Sequence, residues 1–170
     1  VLLWAYGRYT EDGPLPRDTS VVIPKGAGVA GIARLLRTRG VISDRRLFMA
    51  GAWAFGVDRQ LRAGEFAFPA GISMQVVARL LVSGQMVKRR FTVVEGLTTS
   101  QVLAQIVAAE GLSGPLPTGY FSEGVLLPET YFYSHGDSRE KLVQRMRRTM
   151  NEVLDELWFA RSRKLGLSTR

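Results

Sequence analysis

Two observations on this 170-residue sequence predict an α+β fold built of short strands and amphipathic helices. First, three segments share one pattern: VVIPKGAGVAGIARLL from Val21, FAFPAGISMQVVARLL from Phe66 and FTVVEGLTTSQVLAQIV from Phe91. In each, a short apolar run leads to a glycine (Gly26, Gly71, Gly96) and an apolar residue follows six positions later (Ile32, Val77, Val102). Further apolar positions come three or four residues beyond, at Leu35 and Leu36, Leu80 and Leu81, and Ile106, which is the spacing of one helix face. Second, apolar residues step by three and four from Leu142 to Trp158, which predicts a long amphipathic helix with its arginines outward.

The elements follow in order. The opening VLLWAY carries Trp4 and Tyr6, residue types enriched at membrane interfaces, and reads equally as the end of a membrane span or as a frayed start. No stretch reaches the ~20 apolar residues of a complete span. GRYTEDGPLPRDTS, polar with glycine and two prolines, reads as a tether. Each of the three glycines supplies the positive φ that a sharp strand-to-helix turn requires. Their spacing of 45 and then 25 residues is too irregular for a solenoid. Between the first two units, Ser43 or Asp44 caps a helix carrying Leu47, Phe48, Ala52 and Phe55, so strand, helix, helix, strand is the order from Val21 to Phe68. After the third unit GLSGPLPTGYF is a connector, and Asp137 with Glu140 has the spacing of a capping box at the start of the long helix.

Composition narrows the function classes. A chain that is 46% hydrophobic with 18 glycines can bury a core and turn tightly. Without cysteine there is no disulfide framework, thiolate metal site or cysteine nucleophile, and His135, the single histidine, precludes a histidine metal cluster. No metal or organic cofactor is expected. The net charge is +8, and from Arg139 onward nine basic residues face four acidic ones. Such a balance suits nucleic acid, an anionic surface or an acidic polymer. No basic run is interleaved with stacking aromatics, however, so the reading is a solvated arginine face and no nucleic-acid partner.

The least ordinary stretch is SEGVLLPETYFYSHGD, Ser122 to Asp137. Glu123 precedes a glycine and an apolar run, and a carboxyl group meant to donate a proton needs an apolar setting of this kind. Val125, Leu126 and Leu127 are the expected walls, although strand alternation turns only some of them inward. Glu129 either caps the Thr130 turn or orients a substrate. Tyr131 and Tyr133 either line a sugar subsite or enter the core. Glu95 beside Gly96 serves its turn, and His135 is expected on an exposed turn.

The run E-G-V-L-L-P-E-T-Y at Glu123 to Tyr131 resembles the signature of the endolytic murein transglycosylases, the MltG or YceG-like family, roughly Glu-Gly, three mostly apolar residues, Pro, Asp, Thr, and Tyr or Trp. IPKG, GVIS, AGEF and VVEGLTTSQV fall upstream in the order of that family's LysM-like part. The resemblance spans about residues 20 to 160. It implies an end of membrane anchor and tether over 1–19, a LysM-like βααβ subdomain over 20–84 that binds peptidoglycan glycan, and the N-terminal part of a catalytic domain over 85–170. It further implies cleavage of the bond between N-acetylmuramic acid and N-acetylglucosamine within glycan strands, leaving 1,6-anhydro ends. Glu123 would be catalytic, with Glu129, Thr130 and Tyr131 binding substrate. The implied setting is the inner cell membrane, reached through one N-terminal helix mostly outside this chain, with the enzyme facing the periplasm or outer surface and peptidoglycan synthases open as partners. Two departures stand out: Glu129 replaces the usual aspartate, and family members continue past the long helix, so the chain reads as a fragment. A non-catalytic glycan-binding module is the alternative.

Reversing Arg147 and Arg148 to Glu is expected to leave stability and glycan cleavage near wild type. Tight DNA binding with a log–log salt slope of about −0.9 per released counterion, lost in that reversal, would restore the nucleic-acid reading.

Overall fold

The computed structural model describes residues 2–119 and 121–166. The chain forms two compact units divided after Val87. The first opens with α1 (Leu2–Thr10) and continues with β1 (Thr19–Ile23), α2 (Val29–Thr38), α3 (Arg45–Ala54), β2 (Gly64–Phe68) and α4 (Met74–Ser83). β1 and β2 pair antiparallel in the register Thr19↔Phe68 to Ile23↔Gly64. Val21 and Ile23 alternate inward and face the side of Phe66 and Phe68, so the two-stranded sheet has one buried face. Ile32 and Leu36 of α2, Phe48 of α3 and Val77 and Leu81 of α4 complete this core. Asp44, of the two capping candidates, accepts from the backbone N–H groups of Arg46 and Leu47 at 2.6 and 3.1 Å. The expected βααβ order is therefore present.

The second unit holds β3 (Arg89–Thr92), α5 (Thr99–Ala108), β4 (Thr130–Tyr133) and α6 (Arg139–Ala160). β3 and β4 pair antiparallel from Arg89↔Tyr133 to Thr92↔Thr130. Phe91, Val102, Ile106, Leu126, Leu142 and Met146 are among the residues of its core. The described structure is thus α+β, with two small antiparallel sheets.

The strand–glycine–helix pattern occurs four times. The fourth copy is β4, Gly136 and α6. Gly26, Gly71, Gly96 and Gly136 have φ between +70° and +84°. The helix N-cap stands two residues after each glycine, at Gly28, Ser73, Thr98 and Ser138. The residue six after it is buried in every copy: Ile32, Val77, Val102 and Leu142. Each unit is consequently two such copies with antiparallel strands and a connector between them. The connector is α3 with its flanking turns in the first unit and residues 109–129 in the second.

Three expectations are corrected. The segment read as a tether is docked: Tyr9 and Leu15 are buried, and the Gly13 N–H donates to Gly71 O while the Gly71 N–H donates to Leu15 O, both at 2.9 Å. Residues 1–19 therefore belong to the first unit, and the boundary expected at 84/85 lies at 87/88. No described helix is long and apolar enough to cross a membrane. Ser138, not Asp137, caps α6, because Asp137 Oδ2 accepts the Ser134 N–H at 2.7 Å and holds the preceding turn. The stripe of α6 is buried at Leu142, Val143 and Met146 and half-buried at Met150, Val153 and Trp158, whereas Leu154 and Leu157 are exposed. Val1, Tyr120 and residues 167–170, which the sequence reading includes in its domain and connector ranges, lie outside the described residues.

α1 rests on a close approach. A Cβ at Gly51 of α3 would collide with the Tyr9 ring, whereas one at Gly31 of α2 would meet nothing nearer than Ala27 Cβ at 3.9 Å. Alanine is the better helix former by ~1 kcal/mol at either place. Gly31→Ala is expected to raise the urea midpoint slightly. Gly51→Ala should lower stability by about 1–3 kcal/mol, because the overpacked ring must move; a stabilised Gly51→Ala would show that Tyr9 does not dock as described.

Candidate functional site

The site is assembled by the turn from β3 into α5 and by the loop that carries the motif into β4. Gly96 turns the chain with φ +84°, and Thr98 and Gln101 then close a capping box: the Gln101 N–H donates to Thr98 Oγ1 at 3.2 Å and the Thr98 N–H to Gln101 Oε1 at 2.9 Å. At the first helical position Thr99 is buried. Its hydroxyl donates to Ser122 O at 3.1 Å, and its backbone N–H donates to Glu123 Oε2 at 2.8 Å. The candidate acid is thereby held at the N-terminus of α5, where the helix leaves unsatisfied N–H groups and favours negative charge.

Glu123 itself is exposed, which corrects the expected apolar pocket. Gly124, at φ +74°, turns the chain immediately after it, so the carboxylate lies on the end of α5 and the apolar run goes elsewhere. Leu126 enters the core, Val125 is half-buried against it, and Leu127 is half-buried.

The rest of the motif is riveted to the sheet. The Val93 N–H donates to Glu129 O at 3.0 Å, and the Thr130 and Thr92 hydroxyls share a hydrogen bond of 2.9 Å across the strands. Glu129 is exposed and Thr130 half-buried, so both remain open to a ligand. Tyr131 does not: its side chain is buried and its hydroxyl donates to Leu127 O at 3.0 Å, fixing the loop from inside. The substrate-contact role expected for Tyr131 is therefore corrected to a packing role. Tyr133 is likewise buried, donating to Glu110 O at 2.9 Å. Burial, with the Glu129 charge adding to it and Arg145 opposing, pushes the Tyr131 phenol above its ordinary value of 10.0. Glu95 is exposed beside its turn. His135 is half-buried rather than exposed, with Nδ1 enclosed near Gly111 and without a hydrogen bond among the described residues.

Thr99, which holds the carboxylate, and Gly124, which follows it, line a cleft of about 280 Å³. Val94 and Leu97 of the β3–α5 turn, Gly124 and Pro128 of the motif, Thr99, and Met150 of α6 are among its walls. An accessible carboxylate fixed through one oxygen can pass a proton to and from a bound polyol. Of the residues named from sequence, the fold leaves Glu123 exposed at the end of α5, leaves Glu129 exposed and Thr130 half-buried at the end of β3, and withdraws Tyr131. Thr99 and Ser122 escaped that reading. Thr98-x-x-Gln101 was legible as a capping box, but only the burial of the second threonine reveals that it reaches across to the motif. Among the described residues no group of three or more His, Asp or Glu side chains gathers as a metal site would.

A sequence model described as the YceG-like family matches residues 21–170. A 2.6 Å crystal structure of a yceG-like protein from Listeria monocytogenes is 18% identical, with a TM-score of 0.46, covering 84% of this chain and 56% of that one. The chain thus spans little more than half the length of that solved structure. No curated protein matches it.

Tyr131→Phe removes one hydrogen bond and should cost about 1 kcal/mol in chemical denaturation. The raised phenol also sets a sign. The unfolded chain ionises first as pH climbs past 10, so wild-type stability should fall between there and the higher folded value. The variant should lose less over that interval, and equal alkaline losses would contradict the burial of Tyr131.

Proposed function

The chain belongs to the YceG-like family, the MltG family of murein transglycosylases, and we propose that it carries the acid-bearing part of an endolytic peptidoglycan lytic transglycosylase. The observation that supports this reading is the placement of Glu123: exposed, with Oε2 bonded to the N–H of Thr99, a wall of the cleft, and no hydrogen bond on Oε1 among the described residues. The substrate is a glycan strand of peptidoglycan. Glu123 protonates the oxygen linking N-acetylmuramic acid to N-acetylglucosamine, and the bond from C1 breaks through an oxocarbenium-like state. The carboxylate then takes the proton of the muramic acid 6-hydroxyl as that oxygen attacks its own C1. The 1,6-anhydro ring closes, the acid is regenerated and no water is consumed. The nucleophile belongs to the same sugar, so proximity replaces an activated water. Glu129 and Thr130 are assigned to the glycan at the end of the motif loop.

The first unit, with its βααβ order, is assigned as a LysM-like glycan-binding module. Attachment to the cell membrane by a single N-terminal helix, with the enzyme on the periplasmic or outer side, completes the reading, with peptidoglycan synthases as partners. A second reading, in which the 170-residue chain alone binds glycan and cleaves it poorly, is favoured by one observation: Glu123 lacks an apolar enclosure.

In the full-length protein Glu123→Gln should reduce formation of anhydro ends by at least ~10²-fold, measured by mass spectrometry of digested peptidoglycan. Gln retains an oxygen for the Thr99 N–H, so the melting midpoint should hardly change. Wild-type turnover by the variant would sink the assignment, and reducing ends in place of anhydro ends would convert it to hydrolysis by Glu123 and Glu129 as a pair.

A further inference from the structure

We propose that Thr99 is a positioning residue that selects which oxygen of Glu123 faces the substrate; this rests on the reading of Glu123 as the acid. A polar side chain enters a protein interior at a cost unless it is bonded there. Thr99 is 5% exposed, between the exposed Thr98 and Ser100. Capping does not require it, since Thr98 and Gln101 already close the reciprocal box. Its hydroxyl instead holds Ser122 O at 3.1 Å and its N–H holds Glu123 Oε2 at 2.8 Å. One residue thus fixes both the backbone leading into the acid and one of its two oxygens. Both bonds come from the first turn of α5, whose inner face is locked by the buried Val102 and Ile106.

The clamp has a chemical consequence. An acid that first gives a proton to the glycosidic oxygen and then takes one from the 6-hydroxyl needs a carboxyl oxygen free of other bonds in both steps. With Oε2 held by the helix, that oxygen is Oε1. A carboxyl group free to rotate about its last bond would divide its time between productive and unproductive settings, and a 1 Å misplacement can cost about 10²-fold in rate.

The N–H can be removed at this position without breaking the helix. Proline suits the first helical position, where no intrahelical bond is made. The preceding residue, Thr98, has φ −70° and ψ 155°, extended values compatible with a following proline. In the full-length protein Thr99→Ser should retain kcat within about twofold, whereas Thr99→Val, which lacks the hydroxyl, should lower it by about tenfold and Thr99→Pro, which lacks both donors, by up to about 10²-fold. KM and the melting midpoint should stay near wild type, as loss of packing alone would not allow. Wild-type kcat in Thr99→Val and Thr99→Pro, with Glu123→Gln inactive, overturns the clamp and leaves the acid assignment standing. Wild-type turnover by Glu123→Gln overturns both. Should Thr99→Pro fail to fold, the Val and Ser pair tests the hydroxyl's hold on Ser122 O, since both keep the N–H to Glu123 Oε2: equal kcat in the two overturns the part of the clamp that Thr99 makes through its side chain.

Discussion

The second unit depends on α5 being bonded at both ends to side chains of opposite charge. Glu123 accepts the N–H of its first residue, and the Arg139 guanidinium donates to the carbonyls of Ile106 and Val107 in its last turn at 3.4 and 3.2 Å and to Gly114 O at 2.8 Å. Each charge complements the helix dipole at its own end, an effect of about 0.3–1 kcal/mol when exposed. Ten residues, roughly 15 Å of helix, are too few to be stable alone in water. Packing of Val102 and Ile106 and closure of both ends make the helix permanent. The arrangement also dictates the connector: the chain leaves α5 at its C-terminal end and must bring Glu123 back to the N-terminal end before β4 can begin.

That connector is where the two units diverge. In both, a short strand, a left-handed glycine, a cap two residues later and a buried apolar residue four beyond the cap repeat, and the two strands so produced pair antiparallel. The tight turn explains the constancy of the glycine, since other residues pay a steric penalty at positive φ. Between the copies the first unit places a helix capped by Asp44, and the second places the Glu-Gly motif. The repeated part makes the scaffold; the part that does not repeat carries the candidate acid.

What the sequence disclosed, and what it hid, follows from the range of the interactions. Three of the four strand–glycine–helix copies were legible because glycine position and helical period are local signals. The fourth was masked by its aromatic strand, Thr130 to Tyr133, which reads as part of the motif. Docking of residues 1–19 was illegible for a different reason: Tyr9 and Leu15 are isolated apolar residues in a polar run, and their burial depends on Gly51 and Gly71 far along the chain. The setting of Glu123 was hidden likewise, because its partner Thr99 stands 24 residues away. Local grammar showed that an acid was singled out; only the long-range pairing shows what holds it.

The long helix joins scaffold to site through a single stripe. Leu142 and Met146, four residues apart, are fully enclosed in the core, and Met150, the next residue of that step, is half-buried and forms a wall of the cleft that Thr99 and Gly124 also line. The same amphipathic period that packs α6 into the core of the second unit thus carries one side chain past the edge of that core to the wall of the cleft. A methionine there is chemically apt, since its unbranched thioether adapts its shape to an irregular neighbour. Reading α6 as packing or as binding surface poses a false choice. Its first turns are core, and the turn that follows is the boundary of the site.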